Sequence, residues 1–374
     1  MAGPLSGVKV IEIASLAPAP FGCMVLADLG ADVLRIDRGG PQGEGIVPPE
    51  GPLDRGKHSI TLNLKDLDER ESLYTLVASA DVFIEGFRPG AAERLGIGPD
   101  DLHAYQPRLI YGRMTGWGQR GALAPTAGHD INYIAVSGIL DLIGRAGQRP
   151  IPPGNIIGDF AGGGMLLALG VISALYERAR SGQGQVIDAA MVDGAALYTT
   201  FMHGLHAQGL WNEPRGENML DGAAPFYDTY ECADGNFVAV GCVEPPFFLQ
   251  MLALLGIADP ELPFQLDRTG WTQLKDVIGA AFKERTRDEW AEVFAGTDAC
   301  VSPVLSPWEA HRHPHHQQRD AFIEVSGIRQ PAPAPRFSRT PAPHPRAHDD
   351  SDEGVRDLLR GWGIDDAVTA RLIG

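Results

Sequence analysis

The feature that most constrains the fold is an alternation of short apolar segments with helix-forming segments over the first 190 residues. Helix signals occur at residues 21–29 and after Asp66, which forms a capping-box pattern with Glu69. Parallel strands need a crossover connection, which is usually a helix. The alternation therefore predicts a parallel sheet covered by helices. The predicted strands are residues 8–14, 32–37, 58–64, 81–85 and 109–113.

The turn after the first predicted strand lacks the usual nucleotide-binding motifs. Residues 15–20 read Ser-Leu-Ala-Pro-Ala-Pro, without the Gly-x-Gly-x-x-Gly pattern that lets a backbone approach a pyrophosphate. Asp37 stands where a ribose-binding acid is expected, but without those glycines it does not indicate a cofactor. No Walker A sequence is present either. We interpret this region as a Rossmann-like sheet that does not bind a nicotinamide.

The pattern changes in the second half of the chain. Residues 158–180 have the broad apolar face of one long helix, a strand follows at 185–190, and a further helix at 192–208. Two alternating segments, 226–232 and 236–242, flank Ala-Asp-Gly and predict a hairpin. Helices are expected at 246–255, 271–284 and 287–294, which together with the hairpin predict a small α+β domain.

The end of the chain predicts a return to the first domain. Residues 330–345 are rich in proline, which favours a stiff, extended connector, and residues 353–372 are expected to form one helix. The predicted organisation is a large domain over residues 1–190, completed by 330–374, linker helices over 191–220, and a small domain over 221–315. Residues 316–374 form the return segment and the C-terminal helix.

Composition narrows the classes of partner. A formal net charge of −17 argues against general binding to nucleic acid or to a membrane surface. We expect a cytoplasmic protein, because the four cysteines have no paired spacing, the N-terminus lacks the regions of a secretory signal, and no apolar run is long enough to span a bilayer. Basic residues of the first hundred positions are either solvated charges or a local site for a phosphorylated ligand. They are Arg35, Arg38, Lys57, Lys65, Arg88 and Arg94.

Asp159 is the first candidate for chemistry. It precedes the glycines at 162–164 at the mouth of the predicted long helix. Aspartate at a helix start is also a good N-cap, so a purely structural role stays open. The glycines disfavour a helix, and their expected benefit is the close approach of a ligand or of a neighbouring helix.

His129 and Glu244 are the other candidates. His129 lies in a polar loop between Gly128 and Tyr133, where imidazole could act as a base or could be a structural residue. Glu244 ends an alternating segment and precedes two prolines. It is either a solvated surface residue or a partner that raises the pKa of a histidine and fixes its tautomer.

Metal and serine chemistry are not favoured. Pro314 interrupts a cluster of histidines that has no helical i, i+4 spacing, so we expect a solvated loop rather than a metal site. No Gly-x-Ser-x-Gly sequence indicates a nucleophilic serine. The clustered histidines are His311, His313, His315 and His316.

Motifs along essentially the whole chain carry a family resemblance. They begin with Met1-Ala2-Gly3-Pro4-Leu5-Ser6-Gly7 and end with the Tyr-Glu-Cys-Ala-Asp-Gly sequence at 230–235. Between these lie the segments at 27–33, 114–119 and 128–133, and Gly158-Asp159-Phe160. In this combined order the chain resembles the type III coenzyme A transferase family, and within it the branch of 2-methylacyl-CoA racemases.

The resemblance implies an isomerase that inverts the 2-methyl centre of a CoA thioester. In that branch the residues matching His129 and Asp159 lie on opposite sides of the α-carbon, and an enolate forms between two proton transfers. The residue matching Glu244 pairs with the histidine. This agrees with the residue types, because racemisation requires two acid/base groups that work in either direction. We expect backbone N–H groups near Asp130 to bind the enolate oxygen.

The resemblance also implies where CoA binds and how the chain assembles. It implies a Rossmann-like domain closed by the C-terminal helix, a small α+β domain, an interlocked homodimer that shares its active sites, and no cofactor apart from the CoA of the substrate. Met191, Met202 and Met219 are either a pliable acyl surface or core residues. The implied substrate-binding residues are Arg38, Leu62, Asn63, Leu64, Lys65, Gly86, Phe87, Arg88, Arg94, Gly128, Asp130, Ile131, Asn132 and Tyr133.

Two other functions remain open. A CoA transferase on the same fold would use Asp159 as a nucleophile. His129 counts against it, because carboxylate exchange needs no second acid/base group. The small-domain sequence Val-Glu-Pro-Pro at 243–246 also differs from the glycine-rich loop of transferases. The other alternative is an acyl-CoA-binding protein without catalysis.

Overall fold

A computed structural model describes residues 3–38 and 51–373. The chain divides into two compact units. The larger unit comprises Met1–Ser137, Pro153–Tyr198 and Gln318–Gly374, and the smaller comprises Gly138–Pro152 and Thr199–Gln317. Residues 191–220, predicted as linker helices, are thus divided between the two units. Met1 and Ala2, which open the N-terminal motif, lie outside the described residues.

The larger unit contains a six-stranded sheet with the order β3-β2-β1-β4-β5-β6. All of its strand pairs are parallel, as the alternation predicts. The strand order reverses between β1 and β4, which is where doubly wound sheets open a ligand crevice at the carboxyl ends of their strands. The strands are β1 (Lys9–Ile13), β2 (Asp32–Asp37), β3 (Lys57–Thr61), β4 (Val82–Glu85), β5 (Ile110–Thr115) and β6 (Gln185–Ala190).

Helices cover both faces of this sheet. Asp66 caps the second helix through hydrogen bonds from the Asp68 and Glu69 backbone N–H groups, as predicted. The helices are α1 (Pro18–Asp28), α2 (Leu67–Ser79), α3 (Ala91–Arg94), α4 (Pro99–Tyr105), α5 (Asp130–Val136), α6 (Leu166–Ser181), α7 (Met191–Leu197), α13 (Asp352–Trp362) and α14 (Asp366–Ile373). Short 3₁₀ turns occur at Pro52–Asp54 and Ile139–Leu142.

Successive strand residues face two separate cores, because side chains alternate across a strand. Val10, Val33 and Val82 belong to one core, with Leu167 and Val171 of α6. Ile11, Leu34 and Phe83 belong to the other, with Val355, Leu359 and Trp362 of α13. The C-terminal segment therefore closes one face of the sheet, as the family resemblance implies.

The C-terminal helix differs from the prediction of a single element. Gly363 adopts a φ of 80° and ends α13, and α14 starts three residues later. A glycine in this left-handed conformation is a common helix terminator. The Lys9 side chain donates a hydrogen bond to the Trp362 carbonyl at 2.9 Å, so β1 also fixes the end of α13.

The predicted long helix is continuous but not uniform. Ile156–Met165 is wound as a π-helix, and α6 continues it to Ser181. By length and composition alone this 26-residue helix could cross a membrane, which the sequence had led us not to expect of any segment. Its Leu167, Ala168 and Val171 are buried against the sheet. A core helix can be equally long and apolar, so these properties alone are weak evidence for a membrane span.

The smaller unit contains an antiparallel sheet with the order β7-β8-β9. β7 and β8 form the predicted hairpin. The predicted helix at 192–208 is two helices, α7 and α8. The strands are β7 (Tyr227–Glu231), β8 (Phe237–Gly241) and β9 (Val301–Pro303), and the helices are α8 (Thr200–Ala207), α9 (Pro245–Leu254), α10 (Trp271–Phe282) and α11 (Arg287–Phe294).

Remaining short elements complete the chain. A hairpin of β10 (Phe322–Val325) and β11 (Ile328–Pro331) precedes the proline-rich segment. The helix α12 (Pro314–Gln318) leads into it, and 3₁₀ turns occur at Arg268–Gly270 and Ala310–Arg312.

Candidate active site

A cleft of about 260 Å³ opens at the carboxyl ends of β1, β4 and β5, beside the reversal of strand order. His129 and Tyr133 line it together with backbone-rich turns that follow each strand. The predicted residues Gly86, Phe87, Arg88 and Gly128 also lie along this cleft.

A second cleft, of about 310 Å³, lies at the carboxyl ends of β1, β2 and β3. Phe87 lines both clefts. Most of the residues assigned to CoA by the family resemblance are therefore gathered along one edge of the sheet. Those in the second cleft are Arg38, Leu62, Asn63, Leu64, Lys65 and Phe87.

Arg94 is placed differently from these residues. It ends α3 and is exposed, and a side chain on Gly90 would lie 3.2 Å from its Nη1 atom. It lines neither of the two clefts described above. A role in binding CoA would require its long side chain to extend along the surface.

His129 is exposed at the start of α5 and precedes the first helical residue. Its backbone N–H donates to the Asn132 side chain at 3.1 Å, so Asn132 holds the loop rather than facing the cleft as a free amide. The ring of Tyr133 packs edge-on against Trp117, with centroids 4.8 Å apart, and its hydroxyl donates to the Gly128 carbonyl. These contacts fix the backbone that carries the imidazole.

Asp159 is the fourth residue of the π-helix and does not cap it. The capping position belongs to Asn155, whose side-chain amide donates to the Asp159 carboxylate at 3.0 Å. The interpretation of Asp159 as a helix cap is therefore wrong. Its carboxylate is half-buried, which leaves it available for chemistry.

Burial sets the proton affinity of Asp159. Desolvation raises the pKa of its carboxyl above the ordinary value, and the charge of Asp130 adds to the rise. The hydrogen bond from Asn155 and the nearby charge of His129 act in the opposite direction. A carboxyl with a raised pKa binds and releases protons closer to neutral pH than an ordinary aspartate. His129 lies close to Asp159 in the fold, because the next residue, Asp130, accepts the backbone N–H of Asp159 at 2.8 Å.

The glycines that follow Asp159 serve helix packing. A side chain on Gly162 would lie 2.8 Å from the Ala195 backbone nitrogen of α7, and one on Gly164 would collide with Phe21 and Gly22 of α1. Of the two expected benefits, the structure shows close approach of neighbouring helices. This packing positions the π-helix, and with it Asp159.

Two buried carboxylates have side-chain roles that the sequence did not predict: Asp130, which was expected to bind substrate, and Glu85. Asp130 is buried, and its side chain accepts the backbone N–H groups of Gly158 and Asp159. Glu85 is buried at the end of β4, 3.5 Å from the Arg113 guanidinium. The one sequence signal for this pair is that two predicted strands, 81–85 and 109–113, end in residues of opposite charge, Glu85 and Arg113.

Glu244 lies in the smaller unit, where it is exposed and precedes α9. Its pairing with a histidine stays a prediction. The four histidines at 311–316 do not gather with other ligands, and within residues 3–38 and 51–373 no group of three or more His, Cys, Asp or Glu side chains could hold a metal ion. Met202 and Met219 also belong to the smaller unit, whereas Met191 lines the first cleft.

The chain belongs to CoA-transferase family III, whose sequence model matches residues 5–349. Proteins named alpha-methylacyl-CoA racemase from Mus musculus and Homo sapiens are each 47% identical to it. The alignments cover 96% of this chain and 93% of the mouse protein, and 90% of this chain and 87% of the human protein. An acetyl-CoA:oxalate CoA-transferase from Acetobacter aceti is 32% identical over 92% of both chains.

A crystal structure of a CAIB/BAIF family protein from Brucella suis has the same fold. It superposes with a TM-score of 0.83 at 27% identity, covering 96% of this chain and 100% of that chain. The family resemblance predicted from the sequence is confirmed.

Proposed function

We propose that this protein is an α-methylacyl-CoA racemase that interconverts (2R)- and (2S)-2-methylacyl-CoA thioesters. The observation that carries the proposal is that two acid/base groups come together in the larger unit: His129 lines a cleft, and the next residue, Asp130, accepts the backbone N–H of Asp159 at 2.8 Å. Inversion at one carbon needs a base on one face and an acid on the other. The 47% identity to two racemases supports the same assignment.

The reaction proceeds by two proton transfers. One of the two groups removes the α-proton, and the electron pair moves onto the thioester oxygen to form an enolate. The other group then delivers a proton to the opposite face of the α-carbon. Backbone N–H groups at the start of α5 near Asp130 are the donors that we assign to the enolate oxygen. In the reverse direction the two groups exchange roles.

CoA lies along the sheet edge in this proposal. Arg38, Lys65, Arg88 and Arg94 supply positive charge for its phosphates, and the turns at 62–65 and 86–88 hold the adenosine end. No further cofactor takes part. The assembly is a cytoplasmic homodimer in which Glu244 of a second copy pairs with His129 and fixes its tautomer.

A transferase reaction is the alternative, because a 32% identical relative is named as a CoA-transferase and Asp159 could act as its nucleophile. The two reactions differ in their need for an acceptor. Incubation with a 2-methylacyl-CoA in deuterated water, without any carboxylic acid, should give α-deuterium incorporation with loss of stereochemistry. Transfer of CoA to an added carboxylic acid, without α-deuterium incorporation, would contradict the racemase and favour the transferase.

Variants test the two assigned groups. His129→Ala and Asp159→Ala should each lower racemisation by about 10²–10⁴-fold, since each removes one acid/base group. Asn132→Ala removes the side chain that accepts the His129 backbone N–H but no titratable group, so it is the matched control for loop disturbance. Wild-type rates in either of the first two variants would remove that residue from the mechanism.

A further inference from the structure

The Asp130 carboxylate connects the two segments that carry the acid/base groups. Asp130 directly follows His129 and is 6% exposed. Its Oδ2 atom accepts the backbone N–H of Gly158 at 2.6 Å and that of Asp159 at 2.8 Å. A single oxygen thus holds the start of α5 against the π-helix.

The sequence accommodates this connection at Gly158. A Cβ atom on Gly158 would lie 2.6 Å from the same Oδ2 atom, so any side chain there would displace the carboxylate. The second oxygen, Oδ1, is buried and has no hydrogen-bond partner among the described residues. The charge of this carboxylate acts on the neighbouring Asp159 carboxyl, whose pKa it helps to raise.

We infer that Asp130 is a positioning residue, which fixes Asp159 relative to His129 and keeps a negative charge beside the Asp159 carboxyl. The inference rests on the proposed racemase function. It concerns the side chain of Asp130, whereas the donors assigned to the enolate oxygen are backbone N–H groups near that residue. Charge-assisted hydrogen bonds to backbone N–H groups are short and strong, which suits a fixed geometry.

Both effects serve proton transfer at one carbon. A shift of about 1 Å in a reacting group can reduce the rate by about 10²-fold, so the separation of the two groups must be held. Burial is the main cause of the raised pKa of Asp159, and the negative charge of Asp130 adds to the rise and so favours the protonated form. The other groups that influence the Asp159 carboxyl are Asn155 and His129. Burial raises the pKa of the nearby Tyr133 hydroxyl, the charge of Asp159 adds to this rise, and Arg88 opposes it.

Three variants separate geometry from charge. Asp130→Asn retains an oxygen that can accept both N–H groups but removes the charge. Asp130→Ala removes both. Asp100→Asn, an exposed residue in the first turn of α4, is a control that loses one charge elsewhere in the same unit. Racemisation is measured from each enantiomer across pH, as α-deuterium exchange, with the melting temperature of every variant.

We expect Asp130→Ala to lower kcat about 10²-fold with a smaller change in KM. In Asp130→Asn the limb of the pH profile that reports Asp159 should move to lower pH in both directions of the reaction, because loss of the neighbouring charge lowers the pKa of Asp159. Asp100→Asn should keep the wild-type profile. A merely structural role for Asp130 would lower the rate without moving the limb.

Two outcomes are distinguishable. No exchange by the wild-type protein would overturn the proposed function, and the inference with it. Exchange by the wild type, with an unmoved limb in Asp130→Asn, would overturn the inference alone. If the variants fold poorly, amide hydrogen exchange provides a second measurement: the Gly158 and Asp159 amides should be protected in the wild type, and rapid exchange there would contradict the connection.

Discussion

Glu85 and Phe87 are joined by a hydrogen bond in which the buried Glu85 carboxylate accepts the Phe87 backbone N–H at 2.6 Å. The bond holds the turn after β4, where Phe87 lines both clefts. Burial raises the pKa of Glu85 to about 7, although the Phe87 N–H and Arg113 favour the charged form. A carboxyl with a raised pKa therefore directly precedes the turn at 86–88, which lines the candidate CoA site.

This relationship predicts a stability that falls as pH rises. The folded pKa of Glu85 is higher than the unfolded one, so the folded state binds more protons between about 4.5 and about 7. The contribution of Glu85 is fully present below that window and is lost as pH rises through it, by roughly 3 kcal/mol. Urea unfolding at pH 5 and pH 8 should show this slope, and Glu85→Gln should reduce it.

The exposed Glu71→Gln in α2 is the matched control, because it removes a carboxylate that is not buried. It should leave the slope unchanged. Equal slopes in the wild type and in Glu85→Gln would contradict the assignment of a raised pKa to Glu85.

Packing at the glycines predicts a large effect of one methyl group. A side chain on Gly162 would lie 2.8 Å from the Ala195 nitrogen and 3.0 Å from the Ile157 carbonyl oxygen, so the π-helix and α7 would have to separate. Overpacking of this kind costs about 1–3 kcal/mol. Gly162→Ala should lower the melting temperature, and it should lower racemisation because Asp159 moves with the π-helix.

Gly361→Ala is the control for helix propensity. Gly361 lies in α13 with nothing within 4 Å of an added Cβ, so alanine should stabilise the protein by up to about 1 kcal/mol. Stabilisation by Gly162→Ala as well would show that the two helices can part without cost.

The sheet could be predicted from the sequence because its signals are local. Apolar runs, the Asp66 cap and the hairpin at Ala-Asp-Gly each depend on a few neighbouring residues. The π-winding of Ile156–Met165 could not be predicted, because apolar spacing indicates a helix without specifying its hydrogen-bond period. The break at Gly363 was missed since α13 and α14 both continue an amphipathic pattern.

The site was predictable only in part. The motif at 128–133 and Gly158-Asp159-Phe160 indicated His129 and Asp159 through family resemblance. The hydrogen bonds from Gly158 and Asp159 to Asp130 join residues 28 and 29 positions apart. A contact over this distance in the sequence cannot be predicted from the pattern of neighbouring residues. Glu85 likewise reads as the polar end of a strand, and only its burial in the folded chain makes it titrate near neutral pH.

A buried ion pair anchors the hairpin that follows the smaller unit. Arg55 donates to Asp28 through Nε at 3.0 Å and Nη2 at 2.5 Å, and its Nη1 donates to Gln330 and Pro331 of β11. Both charged side chains are 5% exposed. Arg55→Met should destabilise the protein by about 3–5 kcal/mol, because Asp28 would be left buried without its partner.

Denaturant unfolding measures this effect, and Asp28→Asn combined with Arg55→Met should recover part of the loss. Arg360 and Asp357 form an exposed ion pair in α13, with side chains 64% and 69% exposed. Arg360→Met is therefore the control and should cost less than about 1 kcal/mol. Similar losses in the two variants would mean that burial of the Arg55 pair has no energetic consequence.

The basic residues at the sheet edge predict where CoA affinity resides. The protein carries a net charge of −17, which repels an anionic ligand, so binding depends on a local cluster of cations. Arg38 and Lys65 are exposed and line the second cleft. Arg38→Ala and Lys65→Ala should each raise KM for the thioester about tenfold, equivalent to one charge-assisted hydrogen bond of about 1.4 kcal/mol, with little change in kcat.

Arg356→Ala is the control, because Arg356 is exposed on α13 and its loss removes the same charge outside either cleft. It should leave KM unchanged. Steady-state kinetics at two salt concentrations measure this, and a KM that rises equally in all three variants would indicate a general charge effect rather than a phosphate site.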